Sequence, residues 1–224
     1  MKIFTLIKKD LLQELRAKES LAFMFSLSIL FSVVLGIAVN SALLNQESVT
    51  KLFPGLLWVI FIFSATMTVE RSLQNEMQHM ALEGLLLLGV SSFQIFIAKL
   101  VSNTLLSGLG FLLCTFFLAI LLDIGIVHVA APFTLIASLT VIGYSALATV
   151  AVAISSSSQL KSLLLPLILI PLLFPLFFAA TELGAVLFAG GAFDPASGWL
   201  SLLIALDVLY IVLGMNLYEY VIKE

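Results

Sequence analysis

Charge is scarce in this chain: 10 basic and 13 acidic side chains make up only 10% of its 224 residues. Soluble domains carry about a quarter. With 62% hydrophobic residues and a mean hydropathy of +1.21, that shortage excludes an ordinary soluble domain and implies an integral membrane protein. There is one cysteine, Cys114, so neither a disulfide framework nor a CxxC metal pair can form. Histidine is almost as rare. His79 and His128 stand 49 residues apart and fall on opposite sides of the expected membrane, so they cannot share a metal within one subunit. The chain also lacks a GxxxxGK[ST] phosphate loop, an HExxH zinc pair, a GxSxG elbow and a GxGxxG fingerprint. An enzyme reading has little to stand on, and no catalytic or metal-ligating residue is assigned. The net charge of −3 is spread over short loops, and nothing in the pattern points to nucleic acid.

What the sequence does have is long uncharged runs. They extend over 21–44, 52–69, 100–122, 124–160 and 162–181, and a sixth over 199–220 is interrupted by Asp207, with Glu219 at its end. Each supplies the roughly 20 residues with which a helix crosses about 30 Å of hydrocarbon. A β-barrel would alternate in polarity over segments of about ten residues, and these runs do not. The reading is an all-α integral membrane protein of six transmembrane helices, with residues 1–224 as one transmembrane domain. The first run exceeds the length of a signal-peptide core, so it is read as a retained span.

Basic residues set the orientation. Lys2, Lys8, Lys9, Arg16, Lys18, Arg71, Lys99, Lys161 and Lys223 all fall on one side of the six-span arrangement, and only Lys51 falls on the other. Both termini are therefore expected in the cytoplasm. Trp58 and Trp199 are expected at the outer interface, where indole rings prefer to sit.

Before the first span, Ile3, Phe4, Ile7, Leu11, Leu12 and Leu15 share one side of a helix, which suits an interfacial elbow helix over residues 1–20 lying in the membrane surface. Span five carries Pro166, Pro171 and Pro175, each of which removes a backbone donor and tends to kink a helix. After it, Glu182 and "GAVLFAGGAFDPASG" are too apolar for an ordinary loop and too short for two further spans, so a broken or re-entrant excursion is expected between spans five and six. Asp207 and Glu182 are intramembrane carboxylates, which are costly at bilayer depth and so face protein or water. They read either as a polar pathway or as structural residues bonded to a neighbouring helix. The small residues of "GYSALATVAVAISSSS" suit close helix packing in span four.

One segment stands apart, "ERSLQNEMQHMALEGLL" from Glu70 to Leu86. On a helical wheel Leu73, Met77, Met80 and Ala81 occupy an arc of roughly 100°, with Glu76, His79 and Glu83 along one border and Gln74 and Gln78 along the other. Gly84 ends or bends the pattern. A cytoplasmic amphipathic helix over residues 71–84, between spans two and three, is expected.

Glu70-Arg71, Glu76, Leu82-Glu83-Gly84-Leu85-Leu86 and Lys99 resemble the "ER…E…LEGLL…K" pattern of ABC-2 type permeases. The likeness is greatest to the B subunit family of cytochrome c maturation, CcmB or haem exporter protein B. It extends over "LLQELRAKES", "PGLLWVIFIFSATMTVER", "LLLPLILIPLLFPLFFAATE" and "LDVLYIVLGMNLYEYVIKE", almost the whole chain, and departs from the family at Gly89-Val90-Ser91, where a proline is common. The resemblance implies a permease subunit in a bacterial inner membrane that binds no cofactor itself. It implies ATP bound at a separate CcmA-like ABC ATPase, and haem handled with haem-handling membrane subunits and a periplasmic haem chaperone. It also implies a homodimer among membrane lipids. Glu70, Arg71, Glu76, His79, Glu83 and Gly84 become candidates for the element that docks and couples the ATPase. An ABC-2 permease for a lipid, polysaccharide or drug, or a membrane scaffold that transports nothing, are the competing readings.

Overall fold

The computed structural model describes residues 2–16, 18–78, 90–156, 161–194 and 196–223. Among them the regular structure is helical, with no strand: α1 (Lys2–Arg16), α2 (Lys18–Ser41), α3 (Gln46–Gln78), α4 (Ser92–Leu122), a 3-10 turn (Val127–Val129), α5 (Ala130–Ser156), α6 (Lys161–Phe188) and α7 (Gly198–Lys223). Six helices, α2 to α7, are long and apolar enough to cross a membrane. The described residues thus adopt the expected all-helical architecture with six helices of membrane-spanning length.

Helix ends are written in local chemistry. The Asn45 side chain accepts from the Ser48 N–H at 3.0 Å and starts α3, while Ser91 and Gln94 form a reciprocal capping box that starts α4. That box stands where the family resemblance leads one to expect proline. At the far end of α4, Asp123 takes a left-handed conformation and Ile124 N–H reaches back to Ala119 O at 2.9 Å. Gln46 Nε2 then donates to the carbonyls of Leu122 and Asp123, both at 3.2 Å, tying the start of α3 to the end of α4.

Cross-helix contacts give an alternating up-and-down order. α2 and α4 run in the same sense, with Gly36 against Leu121 and the Ser28 hydroxyl 3.3 Å from Cys114 Sγ. α3 and α6 run oppositely, with Gly55 facing Thr181 and Gly184 facing Pro54. α5 and α7 again agree in sense, through Gly143 with Asp207 and Val150 with Gly214. The start of α2 therefore lies at the same end of the bundle as the ends of α3 and α7.

α5 is the central helix. Buried residues make up 72% of its apolar window, against 28% for α2 and for α7, which lie at the periphery. Its small side chains let neighbours approach closely, as the sequence pattern suggested: Ala146, Ala148 and Ala151 are buried. Around it an aromatic cluster joins four helices. Trp58 stacks on Phe111 at 4.9 Å, Phe61 meets Tyr144 at 5.2 Å, and Phe188 meets Phe53 at 4.9 Å and Phe133 at 5.2 Å. Such pairs contribute about 0.5–1.5 kcal/mol each beyond burial alone.

Two sequence expectations are corrected here. Trp58 is no interfacial anchor: it is 2% exposed within this aromatic cluster, about 18 Å along α3 from Gln46 at 1.5 Å per residue. Trp199, near the start of α7, is partly exposed. The excursion expected between spans five and six begins later than the sequence suggested. α6 continues to Phe188 because Leu183, Leu187 and Phe188 extend its buried face, and it ends in a Schellman motif. Gly190 adopts φ +81, with Gly190 N–H bonding Leu187 O at 3.1 Å and Gly191 N–H bonding Val186 O at 2.9 Å.

Pro166, Pro171 and Pro175 all lie inside this one helix without ending it. Each removes a hydrogen bond at a typical cost of about 3 kcal/mol. Burial of Leu169, Leu173, Leu176, Phe177, Ala179 and Ala180 against the bundle offsets that loss.

Candidate functional site

α3 has 33 residues and spans about 50 Å, far more than the hydrocarbon requires. Its apolar window ends at Val69, and Glu70–Gln78 continue the same helix for about 13 Å more. Glu70, Arg71 and Glu76 are thus carried on the rod that holds Phe53, Trp58 and Phe61 in the core. The first part of the expected 71–84 helix is an extension of span two rather than a separate element. His79, Glu83 and Gly84 lie outside the described residues, as does the serine-rich segment 157–160. His128 is exposed in the connection between α4 and α5, at the opposite end of the bundle from Gln78. Among the described residues no group of three His, Cys, Asp or Glu side chains could hold a metal ion.

Asp207 sits near the middle of α7, about 14 Å from Gly198 at 1.5 Å per residue. It is 5% exposed, and neither carboxylate oxygen has a hydrogen-bond partner among the described residues. It packs on Gly143 of α5, beside Leu176 of α6. One turn further on, the Tyr210 hydroxyl donates to Leu172 O at 2.6 Å and pins α7 to α6. The Ser145 hydroxyl on α5 is also buried, with no hydrogen-bond partner among the described residues.

Glu182 is half-buried on α6. The antiparallel contacts of Phe178 with Trp199 and of Leu172 with Tyr210 set the register between α6 and α7, placing Asp207 level with Phe174 and Pro175. Glu182 stands about 10 Å further along the axis. The two carboxylates sit at separate depths and do not make one site.

A polar cluster that sequence reasoning missed lies where α1 meets α4. The face of α1 that turns to the bundle carries Leu6, Asp10 and Glu14, while Phe4 and Leu12 are exposed. Asp10 and Glu14 line a small pocket with Lys99, Ser102 and Asn103 of α4. The i, i+4 spacing of the two acids was the available signal.

Comparison with known proteins agrees with the helical layout. The pattern that defines the family described as CcmB protein matches residues 1–217. A curated relative, "Heme exporter protein B" of Haemophilus influenzae, is 28% identical over 165 residues, which cover 73% of this chain and 72% of the relative.

Proposed function

The chain belongs to the CcmB family, and from that premise we propose that it is the multi-pass membrane permease subunit of a haem exporter. The match over residues 1–217 carries the reading. The name of the Haemophilus influenzae relative supplies the cargo. In this reading the chain hydrolyses nothing itself. A separate ABC ATPase, docked at the cytoplasmic end of α3 and the residues that follow it, supplies the energy. Glu70, Arg71, Glu76, His79, Glu83 and Gly84 form the docking and coupling element. Both termini then lie in the cytoplasm, the membrane is a bacterial inner membrane, and two copies pair with two ATPases.

The physical support is the continuity of α3. A force applied at Glu70–Gln78 passes along one helix to the Trp58 and Phe61 contacts with α4, α5 and α6. Hydrolysis thereby does mechanical work on the bundle and on the haem-handling subunits, releasing a haem-loaded periplasmic chaperone. Asp207 serves this bundle as a packing residue between α5, α6 and α7, and Glu182 as a polar residue of the outer half of α6.

The test is reconstitution in lipid vesicles with the ATPase, with and without the haem-handling subunits and chaperone. ATP-dependent release of loaded chaperone only in the full set is the expected result. Haem flux with the ATPase alone would replace chaperone release by direct export, and ATPase activity indifferent to this subunit would overturn coupling altogether.

A further inference from the structure

The pocket between α1 and α4 plays no part in the coupling route just described. Asp10 and Glu14 project from α1 toward α4, and Lys99, Ser102 and Asn103 complete the lining with Leu11 and Leu106. The space open to the centre of a water-sized sphere is about 20 Å³. Asn103 is already engaged, donating through Nδ2 to Thr149 Oγ1 of α5 at 2.9 Å. Lys9 Nζ lies 2.9 Å from Asp10 Oδ1. Ser102 differs from them. It is 6% exposed and its hydroxyl has no hydrogen-bond partner among the described residues, although a helical serine often bonds the carbonyl four residues back.

A cavity holds a water when it offers roughly 10–15 Å³ by this measure and two to four polar partners. This one offers both. It is too small for a lipid headgroup, and Lys99 already places a positive charge beside the two acids, which disfavours a metal ion.

We infer that the pocket is a binding site for one ordered water, which accepts from the Ser102 hydroxyl and donates to a carboxylate oxygen of the Asp10 and Glu14 pair. The water and the Lys99 charge together fasten α1 to α4. This accounts for a feature that amphipathicity alone does not: the surface helix turns its acids toward the bundle while its lysines Lys8 and Lys9 stay exposed. It also gives Lys99, the last residue of the resemblance pattern, a task separate from docking an ATPase. The inference stands whether or not the transport reading holds.

Two measurements on the full chain in lipid nanodiscs test it. A density map that resolves ordered water is expected to show one peak within about 2.7–3.2 Å of Ser102 Oγ and of an acid oxygen, and to lose it in Ser102→Val, whose added carbon fills the space. An empty pocket in the unaltered protein, or a peak unmoved by Ser102→Val, would overturn the site. Tryptic cleavage after Arg16 reads the fastening directly. Lys99→Met is expected to speed it severalfold and Lys99→Arg to restore most of the protection. Cleavage of Lys99→Met at the unaltered rate would sink the anchoring role.

Discussion

The carboxylate of Asp207 on α7 rests against the bare backbone of Gly143 on α5, where even a methyl group would collide with Oδ1 and with Leu176. Three helices meet at this point near the middle of α7. Gly143→Ala is therefore expected to destabilise the bundle by about 1–3 kcal/mol, the usual cost of overpacking. Asp207→Asn keeps the shape and breaks no ion pair among the described residues, so its effect is expected to stay near or below about 1 kcal/mol. Heat denaturation in detergent, followed by size-exclusion chromatography, separates the two. A collapse of Asp207→Asn would show that the carboxylate has a charged partner in the assembled protein.

The two tryptophans predict opposite behaviour. Trp58→Ala leaves a large void among Phe61, Phe111 and Phe177 and is expected to cost about 3–5 kcal/mol. Trp199→Ala, at a partly exposed site, should cost under about 1 kcal/mol. Fluorescence checks the placement without relying on stability: in Trp58→Phe the remaining emission comes from Trp199 and is quenched readily by an aqueous quencher. In Trp199→Phe it is shielded.

Continuity of α3 is open to a mechanical test. Inserting Gly-Gly between Val69 and Glu70 adds two poor helix formers at about 1 kcal/mol each, at the end of the apolar window and next to the last core residue of α3, Val69. Normal folding and membrane insertion are expected, with loss of ATP-driven output by an order of magnitude or more. Glu76→Ala should weaken stimulation of the partner ATPase in the same direction but to a smaller extent. Full output from the Gly-Gly variant would show that the helix does not transmit force.

Left-handed backbone at non-glycine residues offers a gain. Leu43 has φ 50 and is almost fully exposed, and an L-residue there pays about 1–2 kcal/mol relative to glycine. Leu43→Gly should raise the melting midpoint by a few degrees. Gly190→Ala, at φ +81, should lower it by a similar amount, as differential scanning fluorimetry can record.

The six spans were legible because hydropathy over 20 residues reports directly on what a helix must do to cross lipid. The close packing of α5 was legible from its alanines, serines and Gly143 for a similar reason. Trp58 was misplaced because the uncharged run begins at Leu52, whereas α3 starts near the Asn45 cap and takes Lys51 into its opening turns. The ring therefore lies twice as far from the helix start as the hydropathy run suggests. Gly190 marked the end of α6, but the apolar residues before it read equally well as a loop at membrane depth until their burial on one face was seen. On α1, periodicity could show two surfaces but not which would meet lipid and which α4. Both bury carbon, and only the partner helix brings the lysine and serine that suit two acids.

The unbroken run of α3 also makes chain length a phase setting. Trp58 and Glu76 are 18 positions apart on one helix, which at 3.6 residues per turn is about five complete turns. Position 76 therefore returns to the side of the rod that Trp58 presents to Phe111 and Phe177. Deleting or adding one residue anywhere between them would rotate the helix backbone beyond Val69 by about 100° relative to the core. In this stretch the spacing is as informative as the residues themselves.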